Sequence, residues 1–73
     1  MTDAEAKQYH GIITDSWALL KKYSTTSPDQ KFWDMLILES NQIYLKHNKS
    51  EFASDMLIAI GNEVERIHKR RTK

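Results

Sequence analysis

Cysteine is absent from this chain. That excludes a disulfide framework and thiolate metal ligation alike, and it fits a reducing compartment. Proline occurs once and glycine twice, too few for the turns of an all-β chain. No apolar run approaches the roughly 18 residues that a membrane-spanning helix needs. The N-terminus lacks the charged-then-apolar layout of a secretory signal. There is no glycine-rich phosphate loop, and no serine stands in a nucleophile-elbow motif. These absences leave a soluble, cytoplasmic, non-catalytic protein as the expectation, with no cofactor, no metal and no membrane partner.

What is present describes a small globular domain. Hydrophobic residues make up 40% and charged residues 29% of the 73 positions, ordinary values for a folded chain. The length allows one domain, residues 1–73. A domain this short buries only about 60% of its unfolded surface, so association with another chain is a common remedy. The net charge of +1 is unevenly spread. Residues 1–65 sum to −4, whereas residues 66–73 carry Arg66, Lys69, Arg70, Arg71 and Lys73 and sum to +5.

Apolar spacing predicts three helices, over about 3–23, 28–46 and 50–69. In the first, Thr2 and Glu5 form a capping-box pattern. Tyr9, Ile12, Ile13, Ser16, Trp17, Leu19, Leu20 and Tyr23 share one broad face. Gly11 inside this helix costs about 1 kcal/mol relative to alanine and reads as tolerated rather than as a close helix approach. Ser24 to Ser27 reads as a linker. The second helix carries a full start signal, with Ser27 as N-cap, Pro28 at the first position and Gln30 closing a capping box. Its face is Phe32, Trp33, Leu36, Ile37, Ser40, Ile43 and Tyr44. The third helix starts at Ser50, or at Asn48 two residues earlier, and presents Phe52, Ala53, Met56, Leu57, Ile60, Val64 and Ile67. Short connections make consecutive helices antiparallel neighbours. The expected fold is an all-α, antiparallel three-helix bundle, with a dimer left open. Trp17, Trp33, Leu36, Ile60 and Val64 are expected among its least exposed residues.

Two features lie outside that core. Leu38 and Leu45 on the second helix, and Ile58 on the third, point away from their apolar faces and form a candidate protein contact or self-association seam. Lys69, Arg70, Arg71 and Lys73 form a candidate nucleic-acid contact. Nothing aromatic is interleaved with that basic end, and the acids Asp55, Glu63 and Glu65 precede it. Because these cations follow Ile67, removal of residues 69–73 is expected to leave the fold intact. A helix-turn-helix reading finds no support in the length of the second helix or the mixed charge of the third. Glu65 and His68 have the Glu-x-x-His spacing of di-iron bundles, but those sites need two such pairs and two further glutamates. His10, His47 and His68 are otherwise scattered.

The stretches Trp17–Tyr23, Phe32–Trp33, Ile43–Lys46 and Phe52–Arg66 resemble short helical proteins of Gram-positive bacteria and their prophages, over most of residues 15–66. That group has no assigned activity, so no functional residue is carried over. The resemblance implies a mobile-element accessory protein that works by binding a host or phage protein. The leading expectation is therefore a small non-catalytic protein-interaction module. The alternative is a DNA-binding accessory protein that uses the basic C-terminal end.

Overall fold

A computed structural model describes residues 1–25 and 27–71. These residues form three helices, α1 (Asp3–Thr25), α2 (Phe32–Lys46) and α3 (Glu51–Arg71), with no strand among them. All three helices pack against one another. The pairing pattern gives their sense. Asp15 and Lys22 on α1 meet Lys46 and Glu39 on α2, so partners descend along α2 as they ascend along α1. Tyr9 and Tyr23 on α1 meet Phe52 and His68 on α3, so these two helices run the same way.

The first helix starts as its sequence predicts. The Thr2 amide donates to Glu5 Oε1 at 3.1 Å, and the Glu5 amide donates to Thr2 Oγ1 at 3.2 Å. This reciprocal pair satisfies two of the amides that a helix start leaves without partners. Those hydrogen bonds hold the Glu5 carboxyl below its usual range.

The second helix starts later than its signal suggests. Ser27 and Pro28 lie outside it, and Lys31 is the N-cap, with no side-chain cap bond. Asp29 is the reason. Its Oδ1 accepts the Lys31 amide at 2.9 Å and its carbonyl accepts the Phe32 amide at 3.2 Å. An aspartate that bonds the amide two residues on makes a local turn that competes with the helix. The helix ends in a Schellman motif. Asn48 and Lys49 both have φ of 58°. The Lys49 amide donates to Tyr44 O at 2.9 Å and the Asn48 amide to Leu45 O at 3.1 Å. Ser50 then caps α3 through the Ala53 amide at 3.4 Å. The third helix continues to Arg71, past the expected end.

The core draws Ile12, Leu19 and Tyr23 from α1, Phe32 and Leu36 from α2, and Ala53, Leu57, Ile60 and Val64 from α3. Leu36, Ile60 and Val64 are thus buried, but neither tryptophan is. Trp17 is 56% exposed and Trp33 39% exposed. The buried stripe of α1 is Ile12, Ser16, Leu19 and Tyr23. Trp17 follows Ser16 and so sits about 100° around the helix, at the rim. Phe32 takes the core position at the start of α2, with its ring centroid 5.2 Å from Tyr23 and 5.1 Å from His68. Trp33 packs edge-on against it at 4.8 Å from outside.

Gly11 proves to be a point of close approach. A Cβ built there would lie 3.3 Å from His47 Cε1. His47 is held in place by Asp15, whose Oδ2 accepts from Nε2 at 2.7 Å. At Gly61 a Cβ would meet nothing within 4 Å. Ser16 is fully buried, and its hydroxyl has no hydrogen-bond partner among the described residues.

Candidate interaction surfaces

The three seams of the bundle differ in chemistry. The α1–α2 seam is sealed by charge. Lys22 pairs with Glu39, and Asp15 Oδ2 takes both Lys46 Nζ at 3.0 Å and His47 Nε2 at 2.7 Å. Burial pushes the Asp15 carboxyl up, but the bonds from His47 and Lys46 outweigh it and hold it below its usual value. Lys22 and the Tyr23 hydroxyl likewise hold Glu39 down. Tyr23 is itself raised to about 12, by burial first and then by Glu39.

The α1–α3 seam joins Tyr9 to Phe52 and Tyr23 to His68, and Tyr9, Ile13 and Trp17 lie exposed along α1. These are four residues apart in turn and so lie on one stripe. Tyr9 stacks edge-on against Phe52 at 5.1 Å. The Lys21 ammonium lies 5.4 Å from the Trp17 ring centroid, partly covering it.

The α2–α3 seam is an open groove of about 520 Å³. Leu36 and Leu57, both buried, lie beneath it. Trp33, Ile37 and Ile58 form its exposed apolar walls, with Ile37 67% and Ile58 62% exposed. Its polar residues are Ser40, Asn41, Tyr44, Ser54 and Asn62, and Gly61 leaves part of one wall without a side chain. Among the described residues Glu65 is the single charged one in the lining, and Lys69 Nζ pairs with it at 2.9 Å.

The candidate contact residues separate. Ile58 belongs to the groove, whereas Leu38 and Leu45 do not line it. They are 49% and 52% exposed. Seven residues apart on α2, they form an outer stripe away from Phe32 and Leu36. Ile37 and Trp33 take their place beside Ile58. Both belong to the apolar face that spacing predicts for α2, but each follows a core residue, Phe32 or Leu36, by one position and so lies at the edge of that face.

The basic end is largely engaged within the chain. Lys69 pairs with Glu65, and Arg70 approaches Glu63 at 3.9 Å. The Arg71 guanidinium donates to the Ser24 carbonyl. His68, expected at the edge of its face, is buried, and its Nε2 lies 2.7 Å from the Tyr23 carbonyl. A carbonyl can only accept, so Nε2 carries the proton. Because α1 and α3 run the same way, their negative dipole ends lie together. His68 and Arg71 supply two last-turn carbonyls of α1 with donors, so the end of α3 is part of the structure and not a free tail. Lys73 lies outside the described residues.

Glu65 is drawn to Lys69 and His68 to Tyr23, so the Glu-x-x-His pair does not converge. Among the described residues no group of three His, Cys, Asp or Glu could hold a metal ion, and no helix is long and apolar enough to cross a membrane. No family model, curated protein or solved structure matches this chain.

Proposed function

We propose that this chain is a small, non-catalytic, cytoplasmic protein-interaction module that presents the α2–α3 groove to a protein surface. The observation that carries this reading is the composition of the groove, with three exposed large apolar side chains and one charged residue. The chain as a whole is 29% charged. Depletion of charge and enrichment in aromatics mark the centre of protein interfaces. Large apolar side chains clustered in a groove are also unusual on a surface that only water touches. An accessory role in a mobile element, which the sequence resemblance over most of residues 15–66 implies, is part of the same proposal. Nucleic-acid binding through Lys69, Arg70 and Arg71 has less behind it, since each already has a partner within the chain.

The test is a photo-crosslinking amino acid in place of Asn41, which lines the groove and is exposed, in cells of the source organism. The same group in place of Lys7, exposed on α1 and outside the groove lining, is the control. Adducts with protein are expected from the first position and not from the second. If Asn41 gives no protein adduct, the reading is wrong.

A further inference from the structure

We infer that the groove between α2 and α3 is the docking face for a second copy of this chain, closed about a two-fold axis so that α2 and α3 of both copies form a four-helix layer. The inference rests on the reading of the groove as a protein-binding surface and names its occupant.

Three observations lead to a second copy. The first is charge. An interface with two-fold symmetry sets one patch against its own copy, residue i against j and j against i, so a patch that carries mostly one sign of charge faces that same sign. A face that is close to neutral avoids that opposition, which costs several kcal/mol where like charges meet across an interface. The lining meets that condition, since its one charge, Glu65, is matched within the chain by Lys69 at 2.9 Å. The α1–α2 seam offers no such apolar face, because Asp15, Lys22, Glu39 and Lys46 line it.

The second observation is area. A compact monomer of 8.6 kDa exposes about 4,700 Å² by the usual scaling of surface with mass. This chain exposes 5431 Å². The excess is comparable to the roughly 800 Å² that each partner loses in a standard interface. The overhanging first turns of α1, where residues 1–10 are all exposed, account for part of it. Exposed apolar side chains contribute as well, and the groove brings three of them, Trp33, Ile37 and Ile58, together on one surface.

The third observation is shape. The lining runs from Trp33 to Tyr44 on α2 and from Ser54 to Glu65 on α3. Each stretch is 12 residues, about 18 Å at 1.5 Å per residue. The whole of α2 is 15 residues, so a groove of this length accepts α2 of a second copy along nearly its full extent. Gly61 adds room at the wall, because the position has no Cβ and open space where one would be. A neighbouring helix can therefore approach the α3 backbone closely there.

The experiment is sedimentation velocity on the purified full chain up to about 1 mM, with parallel fluorescence of a Trp17→Phe variant in which Trp33 is the sole tryptophan. A concentration-dependent monomer–dimer equilibrium is expected, with Trp33 emission shifting to shorter wavelength as dimer forms. Ile37→Glu combined with Ile58→Glu should weaken the dimer at least about 100-fold, as loss of two central contacts does. Both side chains are exposed in the single chain, so melting should stay cooperative. Should that variant unfold, Asn41→Arg with Asn62→Arg puts like charge on the same walls at positions already polar, and the same weakening is expected. Leu38→Glu with Leu45→Glu, on the outer stripe, should leave the dimer intact. A chain that stays monomeric throughout overturns the inference, as does a dimer that survives the groove variants or is lost with Leu38 and Leu45. A monomeric chain whose Asn41 position still crosslinks to another protein in cells overturns the second-copy assignment alone. Absence of any protein adduct overturns the interaction reading itself.

Discussion

The two glycines allow one substitution to be tried in two environments of the same fold. Gly11 and Gly61 both lie inside long helices, and neither has positive φ. Alanine is better than glycine at such positions by about 0.8–1.0 kcal/mol. At Gly61 nothing opposes that gain, since a Cβ would meet no atom within 4 Å. Gly61→Ala should therefore stabilise the fold by about 1 kcal/mol, which raises Tm by about 4–8 °C in a chain of this size. At Gly11 the new methyl would sit 3.3 Å from His47 Cε1. The imidazole would have to retreat by a few tenths of an ångström, but its Nε2 is held at 2.7 Å by Asp15, and the side chain is only 12% exposed. Its movement strains a hydrogen bond that closes the α1–α2 seam, so Gly11→Ala should show no gain or a small loss. The two variants should thus differ by about 1 kcal/mol or more. Thermal melts followed by circular dichroism, run in the Ile37→Glu/Ile58→Glu background to exclude self-association, measure the difference. Adding His47→Ala should restore the gain at position 11. Equal stabilisation by both single variants would refute the claim that His47 makes Gly11 necessary.

Ser16→Ala removes a buried hydroxyl that has no partner among the described residues. Since an unsatisfied buried polar group costs about 1–3 kcal/mol, the variant should unfold at higher urea with an unchanged m-value. A destabilised variant would mean that the hydroxyl is bonded in solution. Asp29→Ala should cost about 1 kcal/mol through loss of the turn that starts α2, whereas Ser27→Ala should change the melting midpoint little, because Ser27 lies outside that helix. Lys49→Gly should raise stability by about 0.5–1 kcal/mol in denaturant titrations, because its φ of 58° disfavours a side chain. The pH dependence has a definite sign. The Asp15 and Glu39 carboxyls are lowered in the folded state. They therefore contribute stability that is complete above their ordinary values of 3.8 and 4.5 and is lost as pH falls below those values through the folded ones. Asp15→Asn should flatten the acid limb of a stability–pH curve, and an unchanged limb would refute the role given to the Asp15 cluster.

Several of these outcomes were legible in the sequence alone, for local reasons. The three helices follow from apolar spacing at 3.6 residues per turn and from the near-absence of proline and glycine. The Thr2–Glu5 box and the cap at Ser50 are contacts within three residues, so the partners are named by the chain order itself. The same holds for the burial of Leu36, Ile60 and Val64, each at the centre of its apolar face. The competing starts of α2 were harder to resolve. Ser27-Pro28 and Asp29 are both strong local signals, and the turn made by Asp29 decided between them.

What tertiary structure decided is how the edges of those faces were used. A helical wheel gives the angle between residues but not how far each neighbouring helix reaches around. Trp17 and Trp33 look central on a wheel, yet they lie at rims because Ser16 and Phe32 take the adjacent core positions. Gly11 became a contact point only when the end of α2 folded back and brought His47 against it. The basic end reads as a free tail until α1 and α3 lie in the same sense and their C-terminal carbonyls take His68 and Arg71. The groove follows the same rule. Trp33, Ile37 and Ile58 come from helices separated by a turn, and no spacing within either helix says that they line one surface. Residues within one helix turn are related by the chain, but residues on different helices are related only by the packing of those helices.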